Sequence, residues 1–259
     1  MPMRVGLIGL GAIGQGVQRA LRPVDDVNLV GALVRDPAKP RPAGAPPVVT
    51  TVDDLLALRP EIVVEMGGHA ALACHGPAVL RGGVDLLVVS VGALADPAVE
   101  QSLLEAATAG GGQLRVLSGA IGALDAIAAA AVGGLDRVTH TTRKPAQTLL
   151  DASQAAALDR PREIFRGTAR EGALKFPESI NVAAAVSLAG LGLDRTEVCV
   201  IADPNVKRNQ HEVVAEGAFG RLRFEIQNVP TDENPRTGRL VAMSIVHALR
   251  ARRAPLSVG

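Results

Sequence analysis

The chain has 259 residues, of which 47% are hydrophobic, 20% charged and 2% aromatic, with neither Trp nor Tyr; this mixture excludes a disordered chain, a collagen-like repeat and a coiled coil. Lys plus Arg number 27 against 26 for Asp plus Glu, a formal net charge of +1, so there is no bulk field to draw the protein to nucleic acid or to an anionic membrane, and a small-molecule substrate is expected. No apolar run approaches the roughly 18 residues of a membrane-spanning helix, and Cys74 and Cys199 lie far apart without metal-ligand spacing, which predicts a cytoplasmic protein.

In chain order, the apolar run at 5–10 enters a glycine cluster, and 12–21 carries apolar residues at helical spacing. Strand, tight turn and helix follow. A nearly continuous apolar segment at 27–34 supplies a second strand, as expected where helices cover both faces of a parallel sheet. Five prolines from Pro37 to Pro47 predict a surface loop, because proline lacks the backbone donor that a helix or central strand needs. Strands at Ile62–Glu65, 86–91 and 114–117 alternate with helices at 71–81 and 98–109. The rhythm specifies an α/β fold with a doubly wound parallel Rossmann sheet, whose ligands sit at the carboxyl ends of the strands.

Past residue 118 the pattern changes. Alternating segments at 137–141, 163–168, 212–215 and 222–226, the last two joined as a hairpin around 217–220, predict strands with one packed and one wet face. A helix over Asn181–Ala189 is placed on the packed side. Asn234 before Pro235 reads as an N-cap with proline at the first helical position, opening a helix whose apolar face is 240, 241, 245, 248 and 249. The predicted organisation is a dinucleotide-binding domain over 1–118, completed by a C-terminal helix within 234–259, and a catalytic α+β domain over 119–233 on a mostly antiparallel or mixed sheet.

Gly9-Leu10-Gly11-Ala12-Ile13-Gly14 directly follows the first strand and opens the first helix, the context that gives a dinucleotide fingerprint its meaning. Gly9, Gly11, Ala12, Ile13 and Gly14 are therefore expected at the cofactor, its pyrophosphate at the helix amino end. Arg35 and Asp36 stand at the end of the second strand, where the adenine-ribose selector belongs. An arginine in first place suits the 2′-phosphate of NADP, so use of both NAD and NADP, or a leaning to NADP, is expected.

On these residues the chain resembles the L-aspartate dehydrogenases over nearly its whole length. The resemblance rests also on the segments 90–96 and 117–125, on Thr142-Arg143-Lys144-Pro145, on 176–184, on Ala202-Asp203-Pro204, on Asn209-Gln210-His211 and on 234–237. It implies reversible oxidative deamination of L-aspartate to oxaloacetate and ammonia through iminoaspartate, a step linked in some members to NAD synthesis. By position it implies His211 as the catalytic residue and Ala120 and Asn181 as nicotinamide-side contacts. The chain departs from the family pattern at Ser179, where an asparagine is usual, and at Arg35, where an acid is frequent.

The chemistry agrees with that implication. Deamination needs a group that exchanges protons near neutrality, and histidine is the side chain whose ordinary pKa lies there. The two carboxylates of aspartate call for cations, and Arg143 and Lys144 are the candidates. His69, His75, His140 and His247 read as structural or exposed, no metal site is expected, and the wet face of the second sheet predicts a homodimer. Three other readings share parts of this plan. An aldehyde dehydrogenase of the semialdehyde type requires an activated thiolate, which neither Cys74 nor Cys199 resembles. A dihydrodipicolinate-reductase-like enzyme would carry paired histidines and a Lys-rich signature, and the third reading is a non-catalytic dinucleotide sensor.

Overall fold

Met3–Ile8 (β1) is buried at every residue but Arg4, as a strand must be when both faces of its sheet are covered. The computed structural model describes all residues except 24, 177–179, 235–236 and 259. It falls into two units, Met1–Gly119 with Thr231–Gly259, and Ala120–Pro230.

In the first unit β1 is followed by α1 (Ala12–Leu21), β2 (Val27–Leu33), β3 (Val48–Val49), α2 (Val52–Ala57), β4 (Ile62–Glu65), α3 (His69–Arg81), β5 (Asp85–Val88), a 3-10 turn at Val91–Ala95, α4 (Pro97–Gly110) and β6 (Leu114–Val116). The sheet is six-stranded in the order β3-β2-β1-β4-β5-β6, and every pairing is parallel. The doubly wound sheet expected from the continuous apolar runs is therefore present. Its strand order reverses between β1 and β4, which opens a crevice at their carboxyl ends. Helix α4 shows how locally the boundaries are encoded: Asp96 accepts from Ala98 N–H, Pro97 opens the helix, and Gly111 ends it in the left-handed region.

The second unit contains α5 (Leu124–Val132), β7 (Leu135–Pro145), α6 (Ala146–Leu149), α7 (Ala152–Ala156), β8 (Arg162–Thr168), α8 (Ala169–Lys175), α9 (Asn181–Ala189), β9 (Glu197–Asp203), β10 (Gln210–Gly217) and β11 (Gly220–Gln227). Its five strands lie in the order β11-β10-β7-β9-β8. Only β7 and β9 run parallel, so the sheet is mixed. Ile127 of α5 and Val182 and Val186 of α9 pack on Val138, Val213 and Ala215. The opposite face carries ion pairs such as Arg137–Glu216, Arg223–Glu212 and Arg166–Glu163, all at least partly exposed. Each buried aliphatic side chain is worth roughly 1.5–3 kcal/mol, whereas exposed pairs, screened by water, contribute little. The apolar face holds this unit together.

The start of the last helix differs from the expectation, as do the ends of β5 and β7, which run over Asp85–Val88 and Leu135–Pro145 instead of 86–91 and 137–141. The last helix, α10 (Leu240–Ala251), starts after Arg239 without a side-chain cap, and Pro235 lies outside the described residues. Asn234 instead closes a loop: its N–H donates to Thr231 Oγ1 at 3.1 Å, and its carbonyl accepts from the Thr231 hydroxyl at 3.0 Å and from Thr237 N–H at 3.0 Å. A hydroxyl that satisfies backbone groups locally competes with the helix. Val241, Ile245 and Leu249 form the buried stripe of α10. The helix packs against α1, where a Cβ on Gly16 would lie 3.0 Å from Ala242 Cβ.

Candidate active site

The first unit holds a cradle at the carboxyl end of β1. The chain turns at Gly9 with φ +93°, and a Cβ there would lie 2.8 Å from the Cα of Gly67. At Gly14 it would lie 3.1 Å from the Gly9 carbonyl oxygen, whereas at Gly11, the residue before α1, nothing stands within 4 Å. Packing thus requires the outer two glycines. The space at Gly11 opens onto the amino end of α1, whose first turn has no acidic residue and whose unpaired N–H groups attract an anion. A cavity of about 570 Å³ runs from Gly9, Leu10 and Gly11 to Arg35, Asp36, Lys39, Arg41 and Thr50. Ala12, Ile13 and Gly14 belong to α1 beside it and do not line it. Backbone donors at one end and cations at the other fit a dinucleotide.

The cationic end is built by the proline-rich loop. The Arg41 guanidinium donates to the carbonyls of Pro37 at 2.8 Å, Lys39 at 2.6 Å and Asp36 at 2.5 Å, which folds the loop back on itself. Arg35 and Lys39, by contrast, make no side-chain hydrogen bond or ion pair among the described residues.

Glu65, which the sequence reading passed over, fixes the opposite wall. Fully buried at the end of β4, its carboxylate accepts from the N–H groups of Gly67 at 2.7 Å, Gly68 at 3.0 Å and Ser90 at 3.3 Å, and from the Ser90 hydroxyl at 2.8 Å. Burial pushes this carboxyl up, and the donors offset only part of the effect. Met66 and Gly67 line the cavity, so Glu65 shapes it through the loop. The available signal was an acid ending the apolar run Ile62–Val64 and followed two residues later by Gly67-Gly68.

The second unit brings together a different set. In the antiparallel pairing of β7 with β10, His211 stands opposite Thr142, and His140 stands opposite Val213. Alternation puts Val138, His140, Thr142 and Lys144 on the packed face of β7. His140 Nε2 lies 3.2 Å from His211 Nδ1; His140 is 1% exposed, His211 5% and Lys144 6%. Burial first, and then the Lys144 charge, push the His211 imidazole down to about 4. Burial, His211 and Lys144 together hold His140 well below the usual histidine range. Both rings are neutral at neutral pH, and His211 lies well below the near-neutral range expected from the sequence because it is buried beside a cation.

Two expectations change here. His140, read as structural or exposed, is the hydrogen-bond partner of His211, and a polar residue in the buried stripe of an alternating strand was the signal. Arg143 and Lys144, expected to serve one substrate together, are sent by alternation to opposite faces. Lys144 faces the histidines, while Arg143 Nη1 pairs with Asp203 Oδ2 at 2.8 Å. Burial raises the Asp203 carboxyl, but the Asn205 N–H and Arg143 outweigh it and hold it below the usual range.

The remaining candidates are placed separately. Ala120 offers its carbonyl to Asn228 Nδ2 at 2.8 Å, Asn181 opens α9, and Ser179 lies outside the described residues. Burial and Glu163 push the Cys199 thiol up to about 11, the opposite of an activated nucleophile. Cys74 is exposed and lines the cavity of the first unit. Among the described residues no group of three or more His, Cys, Asp and Glu is placed to hold a metal ion, and no helix is long and apolar enough to cross a membrane.

The buried histidines set a pH dependence. An unfolded histidine takes a proton as pH falls through its ordinary 6.5, whereas His211 in the fold refuses one until about 4. Stability is therefore full above that window, declines through it and levels off below. At about 1.4 kcal/mol per pKa unit the loss is roughly 3 kcal/mol, with His140 acting in the same direction. Thermal melts across the window should show the decline. A His140→Phe, His211→Asn double variant should flatten it between 6.5 and about 5, above the ordinary carboxylate range; an unchanged slope would assign the loss to other groups.

Comparison with known proteins joins the two halves. Residues 125–252 match the family described as "Aspartate dehydrogenase, C-terminal", and residues 9–117 match "Homoserine dehydrogenase, NAD binding domain". The chain is 44% identical to an L-aspartate dehydrogenase of Cupriavidus necator, covering 99% of this chain and 100% of that protein. It is 47% identical to one of Ruegeria pomeroyi, over 98% and 94% respectively. A crystal structure of aspartate dehydrogenase from Thermotoga maritima superimposes with a TM-score of 0.81 at 26% identity, covering 100% of both chains.

Proposed function

The chain belongs to the aspartate dehydrogenase family and is an amino-acid dehydrogenase served by a pyridine nucleotide, and from that premise we propose that it interconverts L-aspartate, water and NAD(P)+ with oxaloacetate, ammonium, NAD(P)H and a proton by way of iminoaspartate. Dinucleotide binding falls in this reading to 1–118 with the helix in 234–259, and substrate chemistry to 119–233. The protein works as a cytoplasmic homodimer, and the imine is available either to water or to pyridine-nucleotide synthesis.

The observation that carries the reading is a neutral His211 beside Lys144, in hydrogen-bond contact through Nδ1, and in this reading Nε2 serves the substrate. A bound nicotinamide supplies the hydride acceptor. His211 Nε2 accepts a proton from the substrate ammonium, releases it to solvent, and is then free to accept one from the water that adds to the imine; in the reductive direction it returns protons in the reverse order. Lys144 neutralises a substrate carboxylate in a setting too dry for water to do so. Gly11 and the amino end of α1 receive the pyrophosphate, with Ala120 and Asn181 reserved for the nicotinamide side. A panel of amino acids with both nucleotides, followed by the absorbance of reduced nicotinamide, tests the reading. Faster turnover of glutamate, alanine or homoserine than of aspartate would overturn it.

Cofactor choice follows from Arg35 and Lys39, two uncommitted cations at the ribose end. Arg35→Asp should weaken NADP relative to NAD by ~1–3 kcal/mol, the scale of a charge-assisted hydrogen bond. Equal loss for both nucleotides in a binding titration would place Arg35 away from the 2′ position.

A further inference from the structure

We propose that His140 is a positioning residue for His211, holding the ring with its hydrogen on Nδ1 and its lone pair on Nε2. The proposal rests on the reading above for the role of His211, but its geometry does not. The antiparallel register of β7 and β10 sets the two rings diagonally across neighbouring strands, and the 3.2 Å contact joins His140 Nε2 to His211 Nδ1. Around them β9 contributes Val198 and Val200, opposite His140 and Thr142, and β11 contributes Ile226, opposite His211. Lys144 is the charge that acts on both rings. No other described group competes for His211 Nδ1.

Two neutral imidazoles in such a contact share one hydrogen. If it sits on His211 Nδ1, the ring presents a lone pair at Nε2 and is a base. If it sits on His140 Nε2, His211 carries its own hydrogen at Nε2 and accepts nothing there. A cation beside the ring favours a lone pair over an N–H on the nitrogen left open. We place the hydrogen on His211 Nδ1 accordingly, with His140 Nε2 as the acceptor that completes the arrangement. The division of labour matches a catalytic histidine oriented by a second group behind it. Here the second group is a neutral ring, which keeps His211 a weaker base than a carboxylate would. Among the described residues His140 Nδ1 is buried without a partner, so a positive charge that His211 acquires can spread to His140 Nε2 but meets no acceptor beyond it among them.

The test uses full-length protein carrying 15N-labelled histidine, with the His211 signals assigned by their loss in His211→Asn. In the wild type near neutral pH, Nδ1 of His211 should give the shift of a protonated nitrogen and Nε2 that of a bare one. His140→Phe should lose that pattern and lower kcat about 10-fold with nucleotide affinity unchanged. His140→Gln, whose amide oxygen can accept from Nδ1–H, should restore the pattern and recover part of kcat. A wild-type spectrum with the hydrogen on Nε2, or a His140→Phe variant with native pattern and turnover, overturns the proposal. If the Phe variant does not fold, the wild-type and Gln spectra decide. Failure to turn over aspartate would refute the proposed reaction and leave the tautomer result standing.

Discussion

His211→Ala lowers kcat for aspartate oxidation by about 10²–10⁴, the usual worth of general acid-base assistance, while the dissociation constant for the nucleotide stays within about twofold. The separation is expected because His211 is set in β10 of the second unit, whereas the glycines, α1 and the cationic loop proposed to receive the nucleotide belong to the first. A folding defect would reduce both quantities together. The pH profile gives a second measurement. With His211 pushed down to about 4 by burial and by Lys144, wild-type oxidation should fall as the medium is acidified toward that value, since protonation removes the Nε2 lone pair. The variant should lack that limb. Near-native turnover across pH would return His211 to the status of a packed strand residue and leave Lys144 as the group to examine.

Why the strands were legible and the contact between His140 and His211 was not follows from the range of the signals. The first sheet announced itself through continuous apolar runs such as Ile62–Val64, because strands buried on both faces have no wet positions to alternate with. Four of the five strands of the second were readable from alternation, β9 being buried too continuously to show it, and the hairpin of β10 and β11 is joined at Gly217 and Gly220, within the turn read from the sequence. His140 and His211 are 71 positions apart. Their contact depends on which strands pair and in which register, and no local pattern specifies that.

The division of Arg143 from Lys144 lay closer to hand, since adjacent residues in a strand point to opposite faces. Reading them as neighbours in sequence concealed it. Glu65 was hidden for another reason. An isolated acid after an apolar strand gives no sign of its donors, and three of its four bonds come from backbone N–H groups that only the folded loops aim at it. The start of α10 was misplaced because Asn234 has good capping chemistry in isolation, and Thr231 redirects that chemistry into a closed loop.

The fingerprint itself yields the other large effect, and the structure divides it in a way that the spacing does not. Gly11→Ala should leave the melting temperature near that of the wild type, because φ is −81° and the new methyl meets nothing within 4 Å. It should still weaken nucleotide binding at least about 10-fold, since that methyl occupies the space through which a pyrophosphate approaches the backbone. Gly9→Ala should damage both properties. At φ +93° an L-residue costs about 1–2 kcal/mol, and its Cβ, 2.8 Å from Gly67 Cα, must displace the loop after β4. That loop lines the cavity and is held by Glu65, so the displacement reaches the binding surface. For a protein of this size each kcal/mol corresponds to about 2–4 °C, and the combined strain should lower the melting temperature by about 5 °C or more. Melting curves and titration of reduced-nicotinamide fluorescence measure the two effects separately. Wild-type nucleotide affinity in Gly11→Ala would mean that the pyrophosphate does not lie at the amino end of α1; wild-type stability in Gly9→Ala would mean that the loop after β4 yields at little cost.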